Sequence, residues 1–62
     1  MMLEAVWFKN GKEIYKVSPV MNLLCDDDME VTEIEVCDGN DWYSCEENQF
    51  EADDFVIRIK KD

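Results

Sequence analysis

The 62 residues carry 16 Asp and Glu against 6 Lys and Arg, a formal net charge of −10, and no histidine. So short a chain is expected to build a single small acidic domain (1–62), and no apolar run approaches the roughly 20 residues that a bilayer span requires. The charge also opposes direct binding to nucleic acid or to an anionic membrane, because phosphate recognition relies on Lys and Arg.

Residues 2–8 (Met-Leu-Glu-Ala-Val-Trp-Phe) read as a strand. Asn10-Gly11 follows as a hairpin turn, since both residue types accept the positive φ of a tight primed turn. Residues 12–17 form the returning strand. Ser18-Pro19 then has the character of a helix start, with serine as cap and proline at the first helical position. Val20, Leu23 and Leu24 follow at helical spacing, which predicts a short helix near 19–25 that ends at Asp26-Asp27-Asp28, where anionic residues oppose the dipole. Residues 29–37 are a strand with Thr32, Ile34 and Val36 on one face and Val31, Glu33 and Glu35 on the other. Asp38-Gly39-Asn40 is a turn. Residues 41–45 are a short strand, and residues 46–52 an acidic loop anchored by Phe50. Residues 53–60 are a last strand with Phe55, Ile57 and Ile59 inward and Val56, Arg58 and Lys60 outward. The expected class is α+β: a small antiparallel sheet with one short helix, in the order ββαβββ.

High net charge alone suggests a solvated, unfolded chain. The 47% apolar content, with seven aromatic residues, argues for a folded one. Burying about a dozen apolar side chains at about 1.5–3 kcal/mol each offsets much of the ordering entropy. Cys25, Cys37 and Cys45 are odd in number and have no CxxC spacing; with no histidine to complete a mixed zinc site, they read as reduced thiols of a cytoplasmic protein. The opening Met1-Met2-Leu3-Glu4-Ala5 has neither the basic region nor the apolar core of a signal peptide.

The charge is distributed unevenly. Residues 1–24 have a net charge of +1, residues 25–54 of −13 and residues 55–62 of +2. The central stretch contains thirteen carboxylates and no Lys or Arg. Val31, Ile34, Val36, Trp42, Tyr43 and Phe50 are interleaved with them, so the charges are mounted on folded structure and do not form a tail. Like charges held together oppose compaction, and a functional acidic face is one reason to tolerate that cost.

Catalysis is the weakest reading. There is no histidine base, no arranged nucleophile, and little room for a pocket in so small a sheet. No metal site and no cofactor are expected. An EF-hand beginning at Asp26 would have Val31 at its glycine position, and one beginning at Asp38 would have Trp42 at its fifth and Gln49 at its twelfth. The leading expectation is a basic protein surface as partner. Glu33 and Glu35, two apart on one strand, project from one face about 6.8 Å apart, a spacing similar to that of successive phosphates. Asp26, Asp27, Asp28, Glu30, Asp38, Asp41, Glu46, Glu47, Glu51, Asp53 and Asp54 lie on the flanking turns and strand ends. Together they form a ridge that fits a Lys/Arg groove built for phosphates. Trp42 reads first as a core residue. Tyr43 or Trp42, if exposed, would add an anchor within the charged field.

In size, charge, absence of histidine and the −13 segment of residues 25–54, the chain resembles small acidic phage-encoded DNA-mimic inhibitors: anti-CRISPR, anti-restriction and uracil-DNA glycosylase inhibitor proteins. The resemblance implies a non-enzymatic inhibitor that blocks DNA access to a DNA-processing or CRISPR surveillance protein, with anti-CRISPR action preferred. It also implies action in a bacterial host cytoplasm. A monomer or homodimer is expected, since pairing through the sheet would help so small a core. The alternative is a small adaptor or structural module that is acidic for solubility and binds through a sheet edge or the helix.

Overall fold

A computed structural model describes residues 1–61. Among them are six strands and no helix: β1 (Leu3–Lys9), β2 (Lys12–Val17), β3 (Val20–Cys25), β4 (Val31–Asp38), β5 (Asp41–Glu46) and β6 (Asp54–Ile59). They form two antiparallel three-stranded sheets, one in the order β2-β1-β6 and the other β3-β4-β5. The expected α+β class and ββαβββ order are thus corrected to all-β, because the segment assigned to a helix over 19–25 is strand β3.

The reason lies in the length of that segment. The six residues between Pro19 and Asp26 are too few to hold a helix without tertiary support, so pairing with β4 decides their conformation. Over so short an apolar run the two periodicities are not separable. As a strand the segment completes a sheet: Val20 lies opposite Val36 and Leu23 opposite Ile34. Met21 is left over as a bulge between Val20 and Asn22. The resulting in–out pattern is irregular, which is why the sequence does not read as a simple alternation.

The first hairpin follows the sequence reading. Asn10 (φ 53°) and Gly11 (φ 78°) both take the left-handed backbone of a primed turn. Gly39 (φ 65°) turns β4 into β5. The sheets face each other across one buried cluster, with Ala5, Trp7 and Val17 from the first and Val20, Ile34, Val36 and Cys45 from the second. Trp7 is at its centre. Its indole meets Phe50 edge-on at 4.9 Å between ring centroids, with Phe55 at 4.9 Å and Tyr15 at 5.8 Å. Its Nε1 donates to the Glu47 carbonyl at 2.9 Å. Phe50 therefore anchors the β5–β6 connection, as the sequence suggested.

Two side chains depart from their expected faces. Val31, expected outward with Glu33 and Glu35, packs against the core, because the register slips between Leu24 and Cys25 opposite it. Ile59, expected inward, is exposed at the end of β6 beyond the cover of the second sheet.

On the outer face of the first sheet Glu4 is buried, and Arg58 donates to it through Nε at 2.7 Å. Arg58 also reaches Glu13 at 3.5 Å. This hydrogen bond holds the Glu4 carboxyl below the ordinary glutamate value, against the opposing effect of desolvation.

Candidate functional site: the acidic sheet

The β3-β4-β5 sheet is a meander with β4 in its centre. Alternation along β4 turns Ile34 and Val36 into the core and leaves Glu33 and Glu35 half-buried on the opposite face. Register extends that face across the sheet. Leu24, Glu33 and Glu46 form one row, and Asn22, Glu35 and Ser44 the next. Cys37 and Trp42 form a third. Glu33 and Glu35 thus share a face as expected, and Glu46 joins them. Asn22 Nδ2 donates to Glu35 Oε1 at 3.0 Å and fixes that carboxylate in place.

Most of the remaining carboxylates lie around this face. Asp38 and Asp41 close the β4–β5 turn at one end. Asp26, Asp27, Asp28 and Glu30 occupy the β3–β4 turn at the other end, about 25 Å away along β4. Glu47 is at that end too, since its amide donates to the Thr32 carbonyl and its side chain lines a shallow depression with Glu30. Glu51 lies in the β5–β6 connection, and Asp53 and Asp54 beyond it join the other sheet, where the Asp53 amide donates to the Phe8 carbonyl and Asp54 lies opposite Phe8 on β1.

Three of these carboxylates are engaged in local structure. Asp26 Oδ1 accepts the amides of Asp28 and Glu30 at 2.9 and 3.0 Å and shapes its own turn. Asp53 Oδ2 accepts the Asn10 amide at 3.0 Å, tying the β1–β2 hairpin to the last connection. Asp54 Oδ1 accepts the Phe55 amide at 2.9 Å. The single ridge expected from the sequence is therefore resolved into a face with two acidic ends, and Asp53 and Asp54 fall outside it. Among the described residues no three Cys, Asp or Glu side chains are grouped closely enough to hold a metal ion.

The cations lie elsewhere. Lys16, Arg58, Lys60 and Lys61 line a cleft with Glu4 on the other sheet. Residues 20–47, which make up the acidic sheet, its turns and Glu47 beside it, contain ten carboxylates and no Lys or Arg.

The aromatic anchors expected within the field also separate. Tyr43 is on the inner side of β5, in register with Val36. Trp42, expected first as a core residue, is 60% exposed on the acidic face. Its place follows from alternation on β5: Cys45 is buried, so Trp42, three residues earlier, points to the opposite side.

The three cysteines are unpaired, with Cys25 exposed, Cys37 half-buried and Cys45 buried. Desolvation pushes the Cys45 thiol above its ordinary value. Among the described residues no helix is long and apolar enough to cross a membrane. Comparison of the chain with family models, with curated proteins and with solved structures finds no match.

Proposed function

We propose that this chain is a non-enzymatic inhibitor whose acidic, DNA-mimicking face enters the nucleic-acid-binding groove of a DNA-processing protein, with a CRISPR surveillance protein as the preferred target. The observation that carries this reading is the segregation of charge. Ten carboxylates lie on residues 20–47, the sheet with its turns and Glu47 beside it, with no Lys or Arg among them, and Glu33, Glu35 and Glu46 share one side of it. Held on strands, these charges lose little conformational freedom on docking, and complementary potentials steer encounter with a basic groove.

The test is inhibition of DNA binding by a panel of DNA-processing proteins and CRISPR effector complexes. The chain should compete with duplex DNA for its target, and inhibition should weaken steeply as salt rises. The double substitution Glu33→Lys and Glu35→Lys should reduce inhibition by at least about tenfold, as expected when like charges meet across an interface, while the circular dichroism spectrum stays that of the parent. Unchanged inhibition by this variant would remove the proposal.

One observation favours the alternative of an interaction module. Strand β3 (Val20-Met21-Asn22-Leu23-Leu24-Cys25) is an edge strand with no charged residue, and it exposes Met21, Leu23 and Leu24. Binding through that edge would be lost in Leu23→Lys and indifferent to added DNA. The helix half of that alternative falls with the helix.

A further inference from the structure

The acidic face holds one large apolar group that the core does not use. Trp42 is 60% exposed, whereas the chain's other tryptophan, Trp7, is fully buried. Leaving so large an aromatic mostly in water forgoes much of what its burial would contribute. Its neighbours do not cover it. Opposite Trp42 is Cys37, a small residue whose Sγ donates to the Gly39 carbonyl at 3.2 Å. Glu35 lies diagonally across the strand pair, about 7–8 Å away by sheet geometry. Its Oε1 is held by Asn22, which leaves the second oxygen for an incoming donor. Asp38 and Asp41 flank the same hairpin.

Resting on the acidic-face reading, we infer that Trp42 and Glu35 form a subsite for an arginine side chain of the partner, so that the face selects arginine over lysine. A guanidinium is planar. It stacks on an indole while its N–H groups remain free at the edge to meet a carboxylate beside the ring. A lysine ammonium is a compact, strongly hydrated charge; it satisfies the carboxylates but gains less from the ring. Charge alone makes the face attractive to any cation. The indole next to an oriented carboxylate makes it discriminating.

The experiment compares hexaarginine and hexalysine peptides at one low salt concentration, with affinity read by calorimetry and Trp42 by fluorescence. Trp7 is buried against Phe50 and Phe55, so quenching by added peptide reports Trp42. Hexaarginine should bind about tenfold more tightly than hexalysine and quench the emission, about tenfold being the effect of one well-placed cation–π contact. Trp42→Ala should bring hexaarginine down to the hexalysine affinity and leave hexalysine unchanged. Trp42→Phe should retain part of the difference, and it carries the test if the alanine variant folds poorly. Equal binding of the two peptides by the parent chain, or an equal loss of both in Trp42→Ala, would overturn the arginine subsite and leave the acidic face standing. If neither peptide binds, the subsite and the acidic-face reading fall together.

Discussion

The Asp26 carboxylate accepts two amides of its own turn, and this separates it from its neighbours Asp27 and Asp28. Asp26→Ala should cost about 1 kcal/mol, whereas Asp26→Asn keeps the acceptor, removes one charge from a crowded end and should leave urea stability equal or higher. The thiols give a second expectation. A maleimide should label Cys25 first, Cys37 more slowly, and Cys45 only on unfolding, because burial protects Cys45 and holds it protonated; mass spectrometry of timed samples reads the order. The Glu4–Arg58 pair gives a third. Arg58 lowers the folded-state pKa of Glu4, so its contribution to stability is present above the unfolded value and lost as pH falls through the lowered folded one. In Arg58→Leu the buried carboxylate has lost its guanidinium, and only the weaker attraction of Lys16 and Lys60 opposes desolvation. The gap in Tm between parent and variant should be widest at neutral pH and should close on acidification. A gap that stayed constant with pH would assign Arg58 a packing role only.

Element by element, what could be read in the sequence depended on how much of each signal was local. The β1–β2 hairpin was legible because Asn10-Gly11 specifies its own backbone between two short runs rich in β-branched and aromatic residues. Strand β4 was legible because Thr32 to Val36 alternate strictly. Strand β3 was not, because its conformation is imposed by pairing with β4 and its pattern is broken by the Met21 bulge. Trp42 was misplaced for a related reason. Hydrophobicity favoured the core, but β5 is short, and Cys45 decides which of its faces is inward. The uncharged edge of β3 has a consequence for solubility. Natural edge strands are usually guarded by charge, and among the edges of these two sheets β2, β5 and β6 all carry it. Leu23→Lys should raise the onset temperature of aggregation, seen by light scattering, with a change in folding stability of less than about 1 kcal/mol.

Across the whole molecule the acidic sheet lies against a sheet that carries Lys9, Lys12, Lys16 and Arg58. The sequence showed that the charge was concentrated in residues 25–54, but not that topology would divide that block. The chain crosses between sheets at Ser18–Pro19 and again after β5, and the second crossing carries Asp53 and Asp54 to the less acidic side. Repulsion within the acidic sheet is therefore internal to one layer and sensitive to ions. Thermal stability should rise from about 0.01 M to about 0.15 M NaCl, over which the screening length falls from about 30 Å to about 8 Å. The Glu33→Lys and Glu35→Lys variant should show a weaker salt response. A parent whose Tm is flat or falling over that range would show that the carboxylates are too well solvated to repel.

The strand order also bears on folding. The acidic sheet is built from consecutive strands, each a short hairpin from the next, so its pairings close only short loops. The other sheet differs, because β1 completes its second edge only by the long-range pairing with β6. Until Phe50 and Phe55 arrive, the Trp7 ring lacks two of the three aromatic neighbours that surround it in the finished protein. Closure of the aromatic centre is thus the long-range step of this fold, and formation of the charged layer the local one. In a Trp42→Phe chain, the change of Trp7 emission on refolding would time that closure.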